Sequence, residues 1–197
     1  MIRRTAVCAI LIAAWFMQPA SLRAQQPRPE DWYGKMSKPK DFDPPKTFGG
    51  AFQIELPKDW QLVPGHTGTV FLVAEKTKRF QTGAAIILEY QSLRAAVEPS
   101  FLPSVGVELL KDVQARELAG SSFSQQVIRG ADGRSLIMIH YDRPGLAGGK
   151  DHVVQYSIPI GTTMYHLICI ASSAEIQKYR PMFAYAAASF AAATPGR

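Results

Sequence analysis

The sequence has no asparagine in any of its 197 residues, which removes every acceptor for N-linked glycosylation. It has two cysteines, Cys8 and Cys169. Cys8 falls inside an N-terminal leader, so after leader removal only Cys169 is left and no intramolecular disulfide can form. Stability therefore has to come from packing. There is no apolar run of transmembrane length either: the longest, Thr5 to Met17, has 13 residues, against the roughly 20 a bilayer crossing needs. Motifs that carry chemistry are equally scarce. No H-E-x-x-H spacing occurs, Gly120-Ser121-Ser122 lacks the G-x-S-x-G setting of a nucleophile elbow, and the glycines of Gly145-Leu146-Ala147-Gly148-Gly149 precede a strand where a phosphate cradle would precede a helix.

What is present begins with a secretory leader over residues 1–24. Met1-Ile2-Arg3-Arg4 is its basic start, Thr5 to Met17 its apolar centre, and Ser21-Leu22-Arg23-Ala24 the cleavage region. Cys8 stands at the start of that apolar run, where it cannot serve as a lipidation site at its end. The expectation is an exported protein, periplasmic or secreted, with no transmembrane segment in the mature chain. Removing the leader leaves 197 − 24 = 173 residues, enough for one domain with a sizeable core. It also removes three arginines and no acids, so the formal charge falls from +6 to +3. That small excess, with no basic stripe, gives no support for nucleic-acid binding.

Residues 25–47 carry five prolines, five basic and four acidic residues and little apolar periodicity, which reads as a flexible tether. Trp32 and Tyr33 are its one sticky point. Ala51 to Leu56 alternates as a half-buried strand, and Trp60 follows a Pro57-Lys58-Asp59 turn, its ring expected over the end of the sheet. Thr69 to Glu75 and Ala84 to Tyr90 are apolar on both faces, as central strands are. From Pro99 the period becomes helical, with Leu102, Val105, Leu109 and Val113 on one side. Four more strands follow: Ser122 to Arg129, Arg134 to Asp142, and a hairpin of Asp151 to Ile160 and Thr163 to Ser172 turning at Gly161-Thr162. The chain ends in a helix that buries Ile176, Tyr179, Phe183, Ala187 and Phe190. Ser172 and Glu175 are spaced as a capping box, but Pro181 argues for a short turn at Ala174 to Tyr179 and a main helix from Pro181.

The order β-β-β-α-β-β-β-β-α with short connections predicts an α+β domain over residues 48–193, a mainly antiparallel sheet with helices packed on it, before a tail at 194–197. Doubly apolar strands call for a helix on each face, or one helix opposed by long loops. Phe52-Gln53-Ile54-Glu55-Leu56-Pro57-Lys58-Asp59-Trp60, this strand order, and a last helix ending in Ala188-Ser189-Phe190 resemble the PsbP-like superfamily, over roughly Phe48 to Ala193. That superfamily includes an extrinsic photosystem subunit, a Ran-binding transport factor and many exported bacterial proteins. The resemblance implies a fold; it brings no binding residue and no function.

The candidate sites are few. If Asp142 lies opposite Lys150, then His140 lies opposite His152 at about 5 Å between Cβ atoms, and with Asp142 the two rings form a candidate metal or hydrolytic centre. Two partly exposed histidines at a loop end are the plainer alternative. His166 and Cys169, three apart on a strand, point to opposite faces, so the thiol reads as core. Asp142 and Asp151 flank the glycine loop as surface acids. Lys76, Lys78 and Arg79 form a basic loop that reads as a solvated turn or as a contact for an acidic protein or anionic lipid. Tyr141, Tyr156, Tyr165 and Phe183 would line a pocket between sheet and helix if the protein carries a small molecule. No cofactor is implied. The leading expectation is a non-enzymatic interaction or assembly module meeting an envelope protein or small ligand, with Trp32, Tyr33, Lys76, Lys78 and Arg79 as contact residues. A carrier and a histidine-based metal or hydrolytic protein are the alternatives.

Overall fold

The computed structural model describes residues 42–49, 51–64, 68–76, 83–129, 133–145 and 148–193. The expected leader, residues 25–41 of the expected tether and the expected tail at 194–197 lie outside them. In chain order the first strands are β1 (Lys46–Phe48), β2 (Phe52–Ile54), β3 (Trp60–Pro64), β4 (Thr69–Glu75) and β5 (Ala85–Ser92). A 3-10 turn at Pro99–Phe101 leads into helix α1 (Leu102–Arg116). Then come β6 (Ser121–Arg129), β7 (Ser135–Pro144), β8 (Lys150–Ile160) and β9 (Thr163–Ser172), helix α2 (Ile176–Ser189) and β10 (Ala191–Ala192).

Seven strands form one antiparallel sheet in the order β3-β4-β5-β9-β8-β7-β6. The β8–β9 hairpin turns at Gly161-Thr162, with Ile160 opposite Thr163 and Gly161 at φ +56°. A residue without a Cβ takes that left-handed position at no steric cost.

Strand alternation splits the apolar residues between two layers. On one face Phe71, Val73, Ile86, Leu88, Tyr156, Leu167 and Cys169 pack against α2 through Ile176, Tyr179, Phe183 and Ala187. On the other, Ile137, Ile139, Tyr141, Val153 and Ile168 pack against α1 through Leu102 and Val113. The α+β architecture with a helix on each face is therefore the observed one.

Four local expectations change. Phe52–Ile54 does not join the large sheet: it lies between β1 and β10 in a separate three-stranded sheet, held by Phe52 stacking on Phe48 at 5.4 Å and on Phe190 at 4.9 Å. Its place in the large sheet is taken by β3, so Trp60 begins a strand and does not merely cap one. Part of the expected tether is folded too: Phe42 is 3% exposed, meets the Tyr185 ring at 4.6 Å and bridges to Pro57. Finally, α2 runs unbroken through Pro181 and starts after Glu175, which makes no side-chain cap bond. Ser172 Oγ donates to the Glu175 carboxylate at 3.3 Å, a bond between side chains that differs from the side-chain-to-backbone bonds of a capping box. Burial of Tyr179, Phe183 and Ala184 on both sides of the proline outweighs the one backbone bond it removes.

Candidate interaction surface

The histidine centre assembles with a shifted register. β7 continues to Pro144, which pairs with Lys150, so Asp142 lies opposite His152 and His140 opposite Val154. The expected His140–His152 opposition is therefore out by two residues, because the connecting loop is shorter than the prolines and glycines suggested. The rings remain diagonal neighbours at 5.7 Å between centroids, and His152 Nδ1 lies 2.7 Å from Asp142 Oδ1. Burial holds the His140 ring below its ordinary pKa, helped by the charges of His152 and Arg180 and opposed by Asp142. With Asp142 on Nδ1, the other ring nitrogen of His152 is the one left for chemistry, but it is buried without a hydrogen-bond partner. That nitrogen is therefore closed off from solvent. Among the described residues, no group of three or more His, Cys, Asp and Glu side chains is placed to hold a metal ion.

A second polar cluster escaped the sequence reading. On the α1 side of the sheet, Ser157 Oγ and Gln155 Nε2 lie 2.9 and 3.3 Å from His166 Nδ1, all three residues being buried. The signal was there: Gln155 and Ser157 alternate with apolar residues as a wet face would, yet that face is covered. Burial pushes the His166 pKa down to about 4, with the Arg116 charge acting the same way. A neutral imidazole there accepts from its neighbours and ties β8 to β9. Cys169 lies on the opposite face, as its spacing from His166 predicted. The four aromatic residues suggested for a carrier pocket also divide: Tyr156, Tyr165 and Phe183 belong to the α2 layer and Tyr141 to the α1 layer. They do not line one cavity.

Of the suggested contact residues, Trp32, Tyr33, Lys78 and Arg79 lie outside the described residues, and Lys76 is exposed at the end of β4. The structure places other segments beside it. The Phe42–Pro57 bridge and the Asp43 N–H donated to Leu56 O at 3.0 Å bring residues 42–46 alongside the turn that carries Lys58. Trp60 pairs with Glu75, which puts Lys76 next to that same turn. The Asp43 carboxyl registers this: the Lys46 ammonium bonded to it at 2.9 Å holds it below its usual range, burial opposes that, and the charges of Lys46, Lys58 and Lys76 add to the lowering. On the α2 side, Tyr179 Oη donates to Glu75 at 2.7 Å, Lys178 Nζ lies 3.9 Å from the same carboxylate, and the Trp60 ring meets the Tyr179 ring edge-on at 6.2 Å.

From this basic, aromatic end runs β3, one of the two edges of the large sheet. The edges differ. β6 is bulged between Ser121 and Ser124, with Ser122 at φ 58°, and α1 packs beside it. Bulges and covering helices are how sheet edges are kept from pairing with other chains. β3 pairs only with β4 among the described residues. It exposes Leu62 on one face and Val63 on the other, at 45% and 37%.

No family model matches the sequence, and no curated protein matches it. Solved structures do match. Cyanobacterial PsbP (CyanoP) of Synechocystis is 10% identical and superposes with a TM-score of 0.60 over 80% of this chain and 96% of its own. LpqN of Mycobacterium tuberculosis, involved in cell envelope biogenesis, is 13% identical with a TM-score of 0.50, covering 73% and 83%. The Ran-binding protein Mog1p of Saccharomyces cerevisiae is 10% identical at 0.50, covering 75% and 95%. The chain has the PsbP-like/Mog1p fold, as its resemblance implied; at these identities the likeness is one of fold alone.

Proposed function

We propose that the protein is an exported, non-enzymatic interaction or assembly module of the cell envelope, and that β3 is its contact strand. The observation that carries this reading is the contrast between the two sheet edges: one bulged with α1 packed beside it, the other in unbroken register with its neighbour, exposing Leu62 and Val63 on opposite faces and paired on one side only among the described residues. A strand in that state offers backbone donors and acceptors that a second polypeptide can complete. Two proteins of the same fold support the reading by their own roles, one in envelope biogenesis and one in binding Ran. The N-terminal leader supports export, and no helix among the described residues is long and apolar enough to cross a membrane. The test is a photo-crosslinking residue placed at Leu62 or Val63 in the full chain, with Lys111 on α1 as control. Discrete adducts from the β3 positions in the envelope fraction, absent from the control, are expected. Equal labelling from all three positions, or none from β3, overturns the reading.

A further inference from the structure

The charge and polarity at the two ends of β3 also specify a class of partner. Lys58 and Lys76 lie beside Trp60 and its pairing partner Glu75, Lys178 lies 3.9 Å from the Glu75 carboxylate and Lys46 is bonded to Asp43; all four lysines are exposed. Among the described residues the carboxylates beside them are Asp43, Asp59 and Glu75. Asp43 is bonded to Lys46 at 2.9 Å, and Glu75 accepts from Tyr179 at 2.7 Å with Lys178 3.9 Å away, so these two acids are engaged with two of the four lysines. Lys58 and Lys76 flank the Trp60 end of the strand. The Pro64 end has no backbone N–H to give, so added pairing is confined to the stretch from Trp60 to Val63.

Resting on the proposed role of β3, we propose that this edge accepts an extended peptide segment as an eighth, antiparallel strand, with apolar residues against Leu62 and Val63 and acidic residues at the segment's C-terminal end. Antiparallel addition continues the pattern of all six existing pairings in the sheet. Because β3 runs from Trp60 to Pro64, an antiparallel partner ends beside Trp60, which puts its C-terminal residues next to Lys58 and Lys76. Apolar side chains on both faces of the partner strand extend the cross-strand pairs of Leu62 with Val73 and Val63 with Leu72. The lysines supply direction and register, and their pull weakens with salt.

The probe is a fluorescent peptide repeating Val-Val-Thr-Thr, which puts valine on both faces of a strand, with three aspartates at its C-terminus, compared with the same peptide carrying them at its N-terminus and with one carrying three lysines. Fluorescence anisotropy with the full chain is expected to rank the C-terminal acidic peptide first, to show weakening with added salt, and to lose about tenfold in affinity in Lys58→Glu/Lys76→Glu. Lys58→Gln/Lys76→Gln gives a smaller loss and guards against a folding defect. Equal binding of acidic and basic peptides, or an unchanged affinity in the charge-reversed variant, overturns the proposal. So does co-sedimentation with phosphatidylglycerol vesicles without peptide binding, or self-association through β3. Should the β3 crosslinks persist in Lys58→Glu/Lys76→Glu while no acidic peptide binds, the interaction module stands and the acidic partner falls; should the crosslinks themselves be missing, the module reading fails first.

Discussion

Tyr179 on α2 donates its hydroxyl to Glu75 at the end of β4, 2.7 Å away and 104 residues distant in sequence. This bond fixes the first turn of α2 over the Trp60 end of the sheet. Hydrogen bonds to charged acceptors contribute about 1.5–3 kcal/mol, and partial exposure of Glu75 places this one toward the low end. Tyr179→Phe keeps the ring contacts with Trp60 and Phe183 and is expected to destabilise the fold by about 1–2 kcal/mol in urea unfolding. An unchanged midpoint counts against a role for this bond.

Stability should fall on mild acidification, and His166 is the principal cause. Its folded pKa is about 4 against an ordinary value of 6.5, so the unfolded chain takes up a proton over a pH range in which the native chain stays neutral. The contribution is complete above pH 6.5 and is lost as pH drops toward 4. At pH 5 the loss from this group is about 2 kcal/mol. His140, also lowered by burial, acts with the same sign. Denaturant midpoints measured at pH 7.5 and 5 should separate less in His166→Gln than in the unaltered protein; equal separations would remove His166 from the account.

Pro181 lies inside α2 with its own surface exposed. Replacing it restores an N–H that can donate to the Gln177 carbonyl and removes the ring's clash with the preceding turn. Pro181→Ala is expected to raise stability by about 1–3 kcal/mol without altering the fold. No gain on chemical denaturation would mean that the helix has already relaxed around the ring.

Cys169 has no exposed surface, and burial pushes its thiol pKa well above the ordinary value. Thiolate is the reactive form, so the native protein should be silent toward a disulfide reagent. The Cys169 thiol should react only as the protein unfolds, at a rate that follows unfolding. Rapid labelling under native conditions would contradict the packing around β9.

The legible parts of the fold were those where local pattern and tertiary setting agree. Gly161-Thr162 between two alternating runs gave the β8–β9 hairpin with its turn. Leu102, Val105, Leu109 and Val113 gave the face of α1. β3 was missed because turn residues crowd it, Pro57-Lys58-Asp59 just before it and Pro64 as its own last residue ahead of Gly65, in a strand of only five residues. β1 and β10, of three and two residues, are too short to show a period, and the partner of β10 lies far away in sequence. The helix through Pro181 needed knowledge of what buries its flanks. The histidines were brought together by strand pairing that the sequence suggested, but their register depended on how far β7 runs into a proline, which alternation cannot settle. Gln155 and Ser157 looked solvent-facing because a covered wet face and an open one have the same pattern.

The small sheet has β2 in the middle, with the first described strand on one side and the last on the other. Its closing hydrogen bonds, and the seat of Phe190 against Phe52, come from residues that follow every strand of the large sheet. A chain emerging from the ribosome can build its hairpins early, but it cannot fasten this clasp before residues 190–192 have been made. Until then the Phe52 ring lacks its Phe190 neighbour, so the domain stays open to whatever handles unfinished chains until its last strand has emerged.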